Sequence, residues 1–326
     1  MKQLTISIAA YNSEDYLNKC LDKFIESGVL TDLDIIVVND GSKDRTKDIA
    51  AKYVEKYPDS IRLIDKANGG HGSTINASIP EAKGRYYKIV ASDDWLDPQN
   101  LKRYINDLRN SDEDLIVNDY WFDYTSGKKK LVSYHQGQSD ETFVNLDIHS
   151  LTIKTSIIQK VGPIIDEHCF YVDTELAIFP MKYVKTIKRL GYPLYDYLLG
   201  REGQSVDSKN MLKRRDQLLH ITKRVITDYE ENKGRFIDMD AMKYTFDRIV
   251  GCIQIYYWTM MLGKGKEYQN EIIDFDNWLK REAPELYDST VVMHSSKHTK
   301  YLRFCRKTGF KVYGMTQRLL FKERNL

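Results

Sequence analysis

Asp34-Ile35-Ile36-Val37-Val38-Asn39-Asp40-Gly41-Ser42 is an unbroken β-branched run that turns abruptly polar at its end. Tyr87-Lys88-Ile89-Val90-Ala91-Ser92-Asp93-Asp94-Trp95 repeats the pattern. Continuous apolar runs of this length are expected of strands buried on both faces, as in a parallel sheet. Ligands of open parallel sheets bind just beyond the carboxyl ends of the strands. Two acidic strand ends on one rim therefore predict a site for a nucleotide held together with a divalent metal.

The neighbouring sequence supplies the rest of such a sheet. Strands are expected over 4–9, 35–38, 61–64 and 86–90, and helices over 14–25 (capped by Ser13), 46–57 (capped by Asp44) and 73–79. That alternation defines a parallel α/β arrangement. Beyond Asp97-Pro98 the pattern predicts a helix over 99–108, a strand over 115–118 and hairpins and loops over 120–151. Beyond about residue 211 helices dominate, with 212–229 and 239–262 the clearest. The expected organisation is an α/β domain over 1–210, its nucleotide half over about 1–98 and its acceptor half over about 99–210, followed by a helical region over 211–326.

With 326 residues, 42% of them hydrophobic and a net charge of +2, the chain reads as a soluble globular protein with no need of a nucleic-acid partner. Cys20, Cys169, Cys252 and Cys305 lack C-x-x-C spacing, which argues against a zinc site or disulfide framework and for a reducing cytosol. No signal peptide or membrane-length apolar run is read, so a cytoplasmic protein is expected. From His294 to Leu326, however, nine Lys or Arg residues accompany a single acid, interleaved with aromatic and aliphatic residues. Such a tail either lies on anionic lipid or packs its apolar stripe on the body of the protein.

The first strand runs into Ala9-Ala10-Tyr11-Asn12-Ser13, without the glycines of a dinucleotide fingerprint, and no P-loop is present. A carboxylate-held metal is the alternative means of handling phosphates. Asp40, before the Gly41-Ser42 turn, suits the imide N–H of a uracil-type base, or else an Asx-turn or helix cap. The adjacent Asp93 and Asp94 repel one another unless a cation such as Mn²⁺ or Mg²⁺ neutralises them. Between them, Lys66-Ala67-Asn68-Gly69-Gly70-His71-Gly72-Ser73 leads into a helix, and its glycines permit close backbone approach to an anion.

Taken in order, A-x-Y-N at the first strand end, D-G-S at the second, N-x-G before a helix and S-D-D at the fourth resemble the inverting glycosyltransferases of family 2 over about residues 3–205. The resemblance implies a GT-A fold, a Rossmann-like nucleotide-binding mixed sheet flanked by helices. It also implies nucleotide-sugar contacts from Ala9, Tyr11, Asp40, Lys66, Asn68, Gly70 and Asp93, with the metal on Asp94 and Asp93. Trp95 and His71 would lie near the donor or acceptor sugar, though Trp95 suits a loop anchor equally well. Within Phe170-Tyr171-Val172-Asp173-Thr174-Glu175, Asp173 matches the family's catalytic base, and Glu175 is the fallback, on the same side if the segment is extended. Arg201 and Ser205 match a loop that covers the nucleotide phosphates. Ala91 and Ile75 depart from the acid and arginine common in the family. The implied reaction moves a sugar, most readily from a UDP-sugar, to a glycan or lipid-linked glycan, with membrane contact through 294–326. A catalytically degenerate binding scaffold and, less readily, a sugar nucleotidyltransferase are the competing readings.

Overall fold

Strands β1 (Leu4–Ala10), β2 (Leu33–Asp40), β3 (Ile61–Lys66) and β4 (Tyr86–Ala91) pair in parallel in the order β3-β2-β1-β4. All eight residues of β2 are buried, as its β-branched run requires. The computed structural model describes residues 2–134, 146–200, 208–293 and 297–314. Among these, the sheet continues through β5 (Trp95–Leu96), β6 (Leu115–Tyr124), β7 (Lys129–Val132), β8 (Leu151–Lys154) and β9 (Ile187–Leu199). Its full order is β3-β2-β1-β4-β8-β6-β9-β5, with β7 hairpinned onto β6. Strand β8 runs antiparallel to β4 and β6, whereas β9 is parallel to β6, so the sheet is mixed. By contact the chain divides into two units, Met1–Gln204 with Phe236–Ala241, and Ser205–Arg235 with Met242–Leu326.

The first unit contains α1 (Leu17–Glu26), α2 (Thr46–Lys56), α3 (His71–Ser78), α4 (Pro98–Arg109), α5 (Thr155–Val161) and α6 (Asp173–Ile178). Helix α1 buries Leu17, Cys20, Leu21 and Phe24, the stripe expected of it. It begins three residues later than expected, because the Ser13 hydroxyl bonds Ser92 at 2.6 Å instead of capping. That bond ties the ends of β1 and β4 together. Asp44 accepts from Thr46 N and from Glu14 N, both at 3.0 Å, joining the start of α2 to the loop after β1. At α4, Asp97 caps by accepting from Asn100 N at 2.8 Å, with Pro98 in the first turn.

One strand is added to the expected elements and one local expectation is corrected. The 187–199 segment is a long strand that the sequence pattern did not reveal. The 170–175 segment is not extended: α6 starts at Asp173, so Asp173 and Glu175 diverge, one exposed and the other buried.

The second unit is helical: α7 (Ser208–Lys213), α8 (Arg215–Asn232), α9 (Met239–Leu262), α10 (Lys266–Glu282), α11 (Pro284–Ser289) and α12 (Lys297–Lys307). The described part of the basic tail packs its apolar stripe inward, burying Leu302, Cys305, Phe310 and Tyr313. Arg306 pins it by donating to Asp276 at 2.7 Å, to the Tyr287 carbonyl at 2.8 Å and to the Tyr257 hydroxyl at 3.0 Å. No helix among the described residues is long and apolar enough to cross a membrane.

Candidate active site

The parallel register places Ala10, Asp40, Lys66 and Ala91 at one rim of the sheet. At its centre Asp40 is buried and accepts five hydrogen bonds. The donors are Lys66 Nζ (2.9 Å), Asn68 Nδ2 (3.0 Å), the Gly69 and Gly70 amides (2.8 Å each) and Ser73 Oγ (3.1 Å). Burial opposes its charge, but Lys66 and the two amides outweigh burial and hold the carboxyl below its usual range. Asp40 thus shapes the 66–73 loop, and a base imide would have to compete with intramolecular donors for it. Lys66 also donates to Ser73 Oγ and the Ala67 carbonyl, which accounts for its three protons.

The loop's glycines serve packing. A Cβ on Gly72 would lie 1.9 Å from the Asp166 carbonyl oxygen, and one on Gly70 (φ +83°) 3.3 Å from the His168 backbone. Asn76 on α3 grips the same segment, donating to the Ile165 carbonyl at 2.7 Å and accepting from Ile165 N at 3.0 Å. From there the chain passes His168 and Tyr171, both non-glycine residues with positive φ, to Asp173 at the first turn of α6. Glu175, two residues on in the same first turn, is buried and accepts from Asp166 N at 2.8 Å, an anchoring contact for the 165–168 segment.

At the end of β4, Asp94 is 1% exposed and accepts from the Tyr195 hydroxyl at 2.6 Å and from Leu198 N at 2.8 Å. Burial raises its carboxyl to about 7 despite those two bonds. Asp93 beside it is half-buried. Trp95 is buried in β5 opposite Asp196 of β9, with the Lys19 ammonium 3.2 Å from the ring centroid, a placement that suits a loop anchor. Tyr11 is 50% exposed on the rim, and the Ala9 carbonyl accepts from Ser92 N. Arg201 and Ser205 lie outside the described residues.

Strand β9 adds residues that the motifs did not mark. The Tyr197 phenol is raised to about 12, by burial first and then by the charges of Asp94, Asp173 and Asp147. The His71 imidazole is pulled down by burial and pushed back by Asp173 and Asp40. His149 stacks on Tyr197 with centroids 4.1 Å apart. Burial lowers His149 to about 4, and its Nδ1 has no hydrogen-bond partner among the described residues. Beneath it lies Lys88, a wholly buried ammonium donating to the His149 carbonyl (2.7 Å), the Leu151 carbonyl (3.1 Å) and Asn118 Oδ1 (3.3 Å). Burial brings this lysine down to about 7. A lysine within the apolar run 86–90 was the one available signal for that cluster.

Among the described residues no three acidic, histidine or cysteine side chains gather to hold a metal. The donor set that does exist is Asp94 with its neighbour Asp93. A buried carboxyl raised by desolvation, with only neutral donors on its oxygens and lone pairs remaining, fits a divalent cation that would offset the buried charge.

The mixed sheet flanked by helices, with acidic strand ends on one rim, is a GT-A fold. Crystal structures of TarS from S. aureus share it: residues 1–349 in complex with UDP-GlcNAc superpose with a TM-score of 0.68 at 18% identity, covering 98% of this chain and 92% of that one. The sequence profile of Glycosyl transferase family 2 matches residues 5–167, half of the chain, and the protein belongs to that family. Hyaluronan synthase from Pasteurella multocida is 27% identical over 267 residues, which cover 75% of this chain and 26% of the relative. Teichoic acid poly(glycerol phosphate) polymerase from Staphylococcus epidermidis is 27% identical over 213 residues, covering 60% of this chain and 28% of that one. The chain thus spans about a quarter of the length of these relatives.

Proposed function

We propose that this chain transfers a sugar, with inversion, from a UDP-sugar to a hydroxyl of a glycan or lipid-linked glycan during assembly of a bacterial surface polysaccharide. The cytoplasm, beside the membrane carrying such an acceptor, is the proposed setting. The observation that carries the reading is a pair of carboxyls: Asp94, buried at the end of β4 under the Tyr195 hydroxyl and Leu198 amide, and Asp173, exposed in the first turn of α6. One carboxyl suits the departing diphosphate and the other the incoming hydroxyl. The TarS complexes with UDP and UDP-GlcNAc support the choice of donor.

In this mechanism Asp173 takes the acceptor hydroxyl proton as that oxygen attacks the anomeric carbon from the face opposite the nucleotide. The bond from that carbon to the diphosphate oxygen breaks in the same displacement, giving an inverted product. Asp94, with Asp93, would hold a Mn²⁺ or Mg²⁺ ion, which when bound neutralises charge on the diphosphate. The Tyr195 hydroxyl and Leu198 amide orient Asp94 for that task. Tyr11, exposed on the rim, is the proposed surface for the base, and Arg201 and Ser205 the proposed phosphate cover. His71, at the start of α3, is the proposed contact to the sugar.

The test has two arms. UDP at about 100 times its dissociation constant should stabilise the protein by roughly 2.7 kcal/mol, with the shift reduced by EDTA. Asp173→Asn should lower transfer by about 10²-fold or more while leaving the UDP shift intact, whereas Glu175→Gln should lower the melting temperature. Normal transfer by Asp173→Asn would remove the assigned base. No shift with UDP, GDP, CDP or dTDP would favour a degenerate scaffold.

A further inference from the structure

The tail segment seen in the second unit carries two opposed faces. Its inward face is consumed by packing: Leu302, Cys305, Phe310 and Tyr313 are buried, Gln269 donates to the Phe310 carbonyl at 2.8 Å, and Tyr313 donates to the Gly263 carbonyl at 3.0 Å. Its outward face presents Lys300, Arg303, Phe304 and Lys307 at helical spacing, followed by Lys311 in the next turn, all exposed. Residues 297–314 contain no acid. None of the residues assigned to sugar transfer lies on this face, although membrane contact was expected of the segment that carries it.

Cationic side chains alone are a common solvated surface, but here apolar ones stand among them. Phe304 is 44% exposed in the middle of the basic row. The Arg303 guanidinium donates to the Val291 carbonyl at 2.8 Å, which brings the turn bearing Val292, 68% exposed, beside the row. Gln254 ties the same turn to α9 through the Thr290 and Met293 carbonyls (2.9 and 3.0 Å), next to Ile255, 47% exposed. Phe304, Val292 and Ile255 are the exposed large apolar side chains among the described residues of this unit, and they edge one corner of it.

We infer that this corner, Lys300, Arg303, Phe304, Lys307 and Lys311 with Val292 at its edge, is a docking surface for an anionic phospholipid bilayer. The four cations complement the negative surface potential of such a membrane. Phe304 and Val292 enter the headgroup boundary while the charged heads stay at the phosphates. The contact is peripheral, because the apolar stripe that would drive deeper insertion is already packed against the protein. The inference is independent of the donor site in the first unit.

Flotation of the full chain with vesicles tests it. Binding is expected to phosphatidylglycerol-rich vesicles and not to pure phosphatidylcholine, and it should weaken as salt rises. The pair Lys300→Glu and Lys307→Glu, which have no described structural bonds, should lower partitioning by about tenfold or more with an unchanged melting curve. Phe304→Ser should weaken it further without changing its salt dependence. Equal flotation with both vesicle types, or wild-type flotation by the double variant, would overturn the inference. Wild-type flotation by Phe304→Ser would overturn it too, since a soluble polyanion needs the charges but not the ring.

Discussion

Replacing Asp40 by Asn tests whether this carboxylate builds the 66–73 loop or waits for a base. The carboxylate accepts from five donors, among them an ammonium and two main-chain amides at 2.8 Å. An amide at this position keeps one acceptor oxygen and turns the other into a donor, so at least two of the five meet an NH₂ group. It also leaves Lys66, a quarter exposed, without its ion partner. Hydrogen bonds to charged groups contribute about 1.5–3 kcal/mol each, and removing one partner of a buried pair costs about 3–5 kcal/mol. Partial exposure of Lys66 lets water recover some of that, which makes about 3–4 kcal/mol a fair expectation. For a unit of this size that corresponds to a fall in melting temperature of roughly 6–16 °C. Differential scanning calorimetry without nucleotide reads it directly. A melting temperature within about 2 °C of wild type, together with a large loss of UDP affinity, would refute the reasoning and return Asp40 to the role of base acceptor.

Two further outcomes are expected. Lys88 binds a proton less readily when folded (about 7) than when unfolded (about 10.4), so between those values the unfolded state holds more protons and stability rises with pH. Lys88→Met should flatten the denaturation free energy over about pH 7–9.5 by up to roughly 1.4 kcal/mol per pH unit, and equal slopes for the two proteins would count against a lysine whose proton affinity is lowered by burial. Gly72→Ala would drive a methyl group onto the Asp166 carbonyl, whose amide anchors Glu175. A loss of about 1–3 kcal/mol is expected in urea melts, accompanied by reduced transfer, and a neutral effect would show that the 165–168 segment is free to yield.

The parallel half of the sheet was legible because its strands are buried on both faces and write themselves as β-branched runs. Strand β9 was not, because Gly191 and Pro193 interrupt it. In the structure those residues fall where the register with β6 slips, from Asn118 opposite Leu190 to Tyr120 opposite Tyr195. Beyond that slip Tyr195 and Leu198 bond Asp94, so the residues that orient the carboxylate were hidden with the strand. Motif order pointed to Asp40, Lys66, Asn68 and Gly70 as a group, and the structure does gather them. What spacing could not tell is that they bond to one another, since the donors to Asp40 come from 26–33 residues downstream. Asp173 and Glu175 were separable only once the helix starting between Val172 and Asp173 was seen.

The grip of Asn76 on Ile165, with Gly70 and Gly72 pressed against 166–168, has a consequence for exchange of parts between related enzymes. The stretch proposed to meet the donor and the stretch proposed to carry the base are separated by almost a hundred positions in the chain, yet they are mated surfaces. A chimera that imports only one of them would inherit a mismatched joint whatever its substrate contacts. Swaps that aim to change the acceptor should therefore carry 69–76 and 165–175 as a single cassette.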